Sequence, residues 1–108
     1  MERDRIYLQE IEEFCRKVIA FTASVRYEDF VADEKLQLAV VKLVENIGEA
    51  AKRLSETTRA RHPNVDWHKV MAMRNRLVHD YMDIDLAIVH DVAVNEIPML
   101  LKNLHRGV

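Results

Sequence analysis

The sequence predicts an all-α fold: an up-and-down bundle of four to five helices. Apolar residues recur three and four positions apart along most of the 108 residues, which is the period of a helix with one face in a core. Only two Gly and two Pro are present, too few turn residues for a sandwich or barrel of short strands. Aromatic residues, which strands favour, make up only 6%. An apolar content of 49% beside 31% charged residues suits one globular domain spanning residues 1–108, with a core that needs no staples.

The first helix is read from Tyr7, Ile11, Phe14, Val18, Phe21 and Val25, a single stripe over about five turns. Turn-like residues Tyr27-Glu28-Asp29 follow, and Asp29 or Asp33 can cap the next helix. That second helix carries Leu36, Val40, Leu43, Ile47, Ala51 and Leu54. Gly48 lies within it, where glycine costs about 1 kcal/mol relative to alanine, so the close approach of a neighbouring helix is expected there. Residues 55–66 lose the period and read as a loop, with Pro63 disfavouring helix at His62. Asp66 is the expected cap of a third helix from Trp67 to about Val78, with Val70, Met73 or Met71, and Leu77 inward. A fourth helix starts at Asp83 or Asp85 and runs to Leu104, and Pro98 inside it predicts a kink or a break near Ile97.

Several function classes are disfavoured at once. The single Cys15 gives neither a disulfide nor a Cys pair for a metal. The charged start, Met1-Glu2-Arg3-Asp4-Arg5, does not resemble a signal peptide, and no apolar run approaches a membrane span, so a cytoplasmic protein without membrane contact is expected. There is no Gly-rich phosphate loop and no His-Glu-x-x-His, and the five His are too scattered to hold a metal; no cofactor is expected. The tripeptide Asp83-Ile84-Asp85 resembles a metal-binding D-x-D of nucleotidyltransferases but lacks their upstream Gly-Ser turn, so helix capping accounts for it better. Charge is distributed unevenly. Between residues 52 and 79 seven Lys/Arg face two acids, a local +5 within a chain of net −2, which suggests a local anion site.

The segment Met73-Arg74-Asn75-Arg76-Leu77-Val78-His79-Asp80-Tyr81 concentrates chemistry at the end of the third helix. In continuous helix Arg74 and His79 would sit about 140° apart. If the helix unwinds near Val78, both can meet one phosphate. Arginine offers a planar, permanently charged fork for phosphate oxygens, and histidine transfers protons near neutrality. Together they can cleave RNA without a metal: the 2′-hydroxyl attacks the adjacent phosphate while the guanidinium stabilises the charge that builds there. Arg76 and Lys69 are further candidates for RNA phosphate. A structural role is the alternative, in which Arg74 pairs with Asp80 and His79 serves the helix C-terminus. Concerted cleavage also needs both a base and an acid, and one chain supplies one His at this place. A twofold homodimer with the two segments face to face would supply both.

These residues resemble a known family. Arg74-x4-His79-Asp80-Tyr81 matches the R-x4-H-x-Y motif of HepT-like toxins in the HEPN superfamily of helical ribonucleases. Glu45-Asn46-Ile47-Gly48-Glu49-Ala50 resembles that family's E-x-I-G-E-A signature. His62-Pro63 through Trp67, Met73-Arg74-Asn75, Asp83-Ile84-Asp85 and Ile97-Pro98 follow in the same order. The resemblance implies a homodimeric, metal-independent endoribonuclease, the toxin of a toxin–antitoxin pair whose partner is a minimal nucleotidyltransferase antitoxin. It implies that Arg74 and His79 are catalytic, that Asn75 supports them, and that Tyr81 is the residue the antitoxin adenylylates. The alternative is a catalytically silent helical dimer that serves as partner or substrate of a nucleotidyltransferase.

Overall fold

The first helix, α1 (Glu2–Thr22), stops where Ser24 takes a left-handed backbone (φ 61°), a conformation that ends helices. The stripe expected to run on to Val25 is therefore shorter: Ile11, Cys15 and Val18 are fully buried while Phe21 is exposed. The computed structural model describes residues 2–80 and 83–106. A one-turn helix, α2 (Tyr27–Val31), occupies the place read as a turn. It buries Phe30, and Gln37 Nε2 donates to the carbonyls of Phe30 and Val31, each at 2.9 Å, closing its carbonyl end together with Asp33 N, which donates to Phe30 O at 3.2 Å.

Asp33, of the two candidates, caps α3 (Glu34–Arg53) by accepting from Leu36 N at 3.0 Å. Its buried stripe includes Val40, Val44, Ile47, Gly48 and Ala51, whereas Leu36 and Leu43 are only half-buried. Arg59 Nη1 donates to Leu54 O at 2.7 Å and Ala51 O at 3.2 Å, so this base serves the carbonyl end of α3.

The expected loop at 55–66 contains another one-turn helix, α4 (Glu56–Ala60), capped by Ser55. A buried carboxylate holds it. Asp4 accepts from Ser55 Oγ at 2.6 Å, from Thr58 Oγ1 at 2.5 Å and from Ser55 N at 3.1 Å, tying the start of α1 to α4. These bonds, Ser55's hydroxyl first and Thr58's second, push the Asp4 pKa down to about 2. So distant a partner as Asp4, across more than fifty residues of chain, leaves no local signal in 55–66.

Asp66 caps α5 (Trp67–Leu77) through Lys69 N, as expected, and Met73 rather than Met71 is the buried methionine. The last arm comprises α6 (Leu86–Asp91), a π turn (Val92–Glu96) and α7 (Ile97–Arg106). Asp85, not Asp83, caps α6. Pro98 has no N–H for the carbonyl four residues back, and the wider π turn just before it takes up the mismatch expected near Ile97.

Four arms thus make the bundle. α1 packs along α3, α3 along α5, and α7 closes onto α1. Ile11, Val18, Val44, Ile47, Leu77, Val92 and Ile97 are fully buried at its centre. The Cys15 thiol belongs to the same core, and burial pushes its pKa up to about 12, which makes it inert. Among the described residues no helix is long and apolar enough to cross a membrane.

Candidate active site

The site begins with the contact that the glycine of α3 permits. A Cβ on Gly48 would lie 3.4 Å from Val70 O and 3.5 Å from Met71 O, so α5 lies with its backbone against α3 at this level. One turn further, Arg74 and Glu45 face one another. Arg74 Nε lies 3.5 Å from Glu45 Oε2, and Lys42 Nζ lies 3.1 Å from Glu45 Oε1. An open groove of about 420 Å³ runs along this contact, lined by Glu45, Gly48, Glu49, Lys52, Met71, Arg74 and Asn75. Arg74 is half-exposed and Asn75 exposed, so both are available to a ligand.

Helix α5 ends at Leu77, and Val78 is extended (φ −126°, ψ 124°). The break expected near Val78 is therefore present. The chain then doubles back: Val78 bridges antiparallel to Ile84, His79 N donates to Asp83 O at 2.8 Å, and Asp85 N donates to Leu77 O at 2.8 Å. His79 sits on this hairpin with its side chain exposed and its Nε2 3.5 Å from Asp85 Oδ2.

The structure accordingly brings Arg74 and Asn75 to one groove, while His79 lies outside that groove's lining, beside Asp85. The carboxylate beside Arg74 is that of Glu45, not the Asp80 of the alternative structural reading. Arg76 and Lys69, expected at RNA phosphate, lie on another face of α5 and converge on Glu96. Arg76 donates both terminal nitrogens to that carboxylate, at 3.1 and 2.6 Å, and Lys69 Nζ lies 3.6 Å away. The fork pushes the Glu96 pKa down and the Arg76 pKa up, chiefly through these hydrogen bonds. Residues two apart on a helix diverge by about 200°, so Arg74 and Arg76 cannot share a groove. Tyr81 lies outside the described residues. Among the described residues no group of three or more His, Cys, Asp or Glu can hold a metal ion.

Sequence reasoning missed Glu45 as the partner of Arg74 and Asp85 as the neighbour of His79. The signal for the first was an acid in the same motif as Gly48, one turn before the point where α5 had to come close.

The profile of the family described as "Ribonuclease HepT-like" matches residues 11–106. A Thermococcus cleftensis protein named "Probable ribonuclease HepT" is 34% identical over 94 residues, covering 87% of this chain and 86% of its own. A protein of Caldanaerobacter subterraneus subsp. tengcongensis named "Putative RNase TTE0752" is 36% identical over 104 residues, 96% of this chain and 93% of its own. No solved structure matches the chain significantly. With the profile match spanning the bundle from α1 to α7, and relatives aligned over most of both lengths, the chain belongs to the HepT-like ribonuclease family.

Proposed function

We propose that this protein is a metal-independent endoribonuclease, the toxin of a toxin–antitoxin pair, with Arg74 and His79 as its catalytic residues in the shared cleft of a cytoplasmic homodimer. The observation that carries this reading is the pairing of an open, Arg74-lined groove with a helix break immediately beyond it that exposes His79. Family membership supports RNA as the substrate class.

In this reading Arg74 binds the scissile phosphate through its terminal nitrogens, while the half-exposed Glu45 stays on the Nε side of the same guanidinium. Asn75 steadies the same phosphate. His79 takes the proton of the 2′-hydroxyl, whose oxygen attacks phosphorus. The 5′-oxygen leaves and takes a proton from His79 of the second copy. The products are a 2′,3′-cyclic phosphate end and a 5′-hydroxyl end. Arg74 stabilises the charge on the equatorial oxygens as it builds. Arg76 and Lys69 contribute to RNA binding only by exchanging Glu96 for a backbone phosphate. A nucleotidyltransferase antitoxin silences the enzyme by adenylylating Tyr81, which adds bulk and negative charge close in sequence to the cation that holds RNA.

The test is cleavage of RNA by the purified protein in EDTA. His79→Ala is expected to abolish cleavage with the fold intact, and unimpaired cleavage by that variant removes His79 from the mechanism. A second reading is a silent partner or substrate of a nucleotidyltransferase. The separate carboxylate partners of Arg74 and His79 within one chain favour it. It predicts a stable complex with the nucleotidyltransferase, no cleavage, and no growth defect when the protein is expressed alone.

A further inference from the structure

The hairpin after α5 ends on an aspartate with two tasks. Asp85 Oδ1 accepts from Ile88 N at 3.2 Å and so caps α6. Capping needs one oxygen. The other, Oδ2, lies 3.5 Å from His79 Nε2. Main-chain bonds hold the two residues as diagonal neighbours across the paired segments: His79 N to Asp83 O, Asp85 N to Leu77 O, and the Val78–Ile84 bridge between them. The approach is therefore built into the backbone. The carboxylate is the more sheltered of the two, at 31% exposure against 55% for the imidazole.

We propose that Asp85 is the positioning residue of His79, taking its Nε2–H and turning Nδ1 outward as the nitrogen that meets substrate. The proposal rests on the reading of His79 as the proton-transfer residue. A neutral imidazole carries one N–H, and a carboxylate only accepts, so Asp85 favours the proton on Nε2 and leaves the Nδ1 lone pair open. When Nδ1 takes the proton of the 2′-hydroxyl, both nitrogens become donors, and Asp85 stabilises the imidazolium. Asp85 Oδ2 faces the ring on its Nε2 side, with Asp80 and Asp83 on the same hairpin. The 3.5 Å separation is longer than a formed hydrogen bond, as such contacts often are before substrate closes a site.

Capping and positioning can be separated because Asn, Ser and Asp cap helices about equally well. Asp85→Ser keeps the cap and removes the carboxylate from His79. Asp85→Asn keeps the cap and presents an amide N–H to Nε2, which moves the proton to Nδ1. The experiment is ¹H–¹⁵N NMR of the His79 imidazole in its neutral form, in the wild type and both variants, with RNA cleavage and thermal unfolding measured alongside. The wild type is expected in the Nε2–H tautomer, and Asp85→Asn with a raised Nδ1–H population. Both variants should lose kcat by about ten-fold or more, at little change in KM or unfolding temperature. An unchanged tautomer in Asp85→Asn, or full kcat in Asp85→Ser, overturns the proposal. Cleavage that survives His79→Ala overturns the catalytic reading instead, and the tautomer result decides Asp85's hold on the imidazole in either case.

Discussion

Arg74 of α5 lies against Glu45 of α3, with Nε 3.5 Å from Oε2. The contact approaches the guanidinium from its Nε side, which leaves the terminal nitrogens for a phosphate. Both side chains are at least one-third exposed, so the pair adds little to stability. Its importance is to the direction of the fork. Arg74→Lys keeps the charge and loses the fork. It is expected to lower kcat/KM on RNA by about 10²-fold, with an unfolding temperature within a degree or two of the wild type. Single-turnover cleavage and thermal melts check both parts.

Gly48 sets the distance between α3 and α5. Gly48→Ala brings a Cβ to ordinary contact with Val70 O and Met71 O while improving helix propensity by about 1 kcal/mol, so its stability should stay within about 1 kcal/mol of the wild type. Gly48→Leu must push α5 away. It should destabilise by roughly 3 kcal/mol and narrow or displace the groove beside Arg74. Chemical denaturation of the two variants provides the comparison.

The Asp4 cluster predicts an acid limb. Its folded pKa, near 2, lies below the ordinary carboxylate value, so its contribution to stability is complete above about pH 4 and is lost as pH falls towards 2. Glu96, held down by Arg76, adds a slope of the same sign. Asp4→Asn should flatten the fall in stability between about pH 4 and 2, as read from unfolding midpoints across that range.

Glu96→Ala strands the Arg76 guanidinium beside the π turn. The loss of a bidentate, charge-assisted pair is expected to cost about 1.5–3 kcal/mol, and a double-mutant cycle with Arg76→Ala should recover part of it as coupling. Equilibrium unfolding of the four proteins measures this.

The repeating apolar spacing placed the four arms, Asp66 marked the start of α5, Pro98 marked the irregularity before it, and the cap of α6 was narrowed to Asp83 or Asp85, of which the structure uses Asp85. The one-turn helices α2 and α4 escaped notice because they are too short for a period to show, and because what holds them is distant in sequence. Gln37 closes α2, and Asp4 anchors α4. The same distinction applies to the site. The end of α5 just before His79 follows from local order; the divergence of Arg76 from Arg74 is also implicit in the helical period, yet the sequence reading makes both ligands of RNA phosphate. The carboxylates that face Arg74 and His79 do not follow from local order, since Glu45 arrives through the α3–α5 contact and Asp85 through a hairpin closed by main-chain bonds.

The central claim is that one cleavage event uses His79 from both copies of the chain. The direct measurement is RNA cleavage by heterodimers of wild type and His79→Ala, isolated through two different affinity tags. If the two imidazoles act as base and acid on one phosphate, the heterodimer should lose activity by about 10²-fold or more, close to the loss in the doubly substituted dimer. Retention of half the wild-type activity would mean that each chain cleaves alone, and would contradict the account.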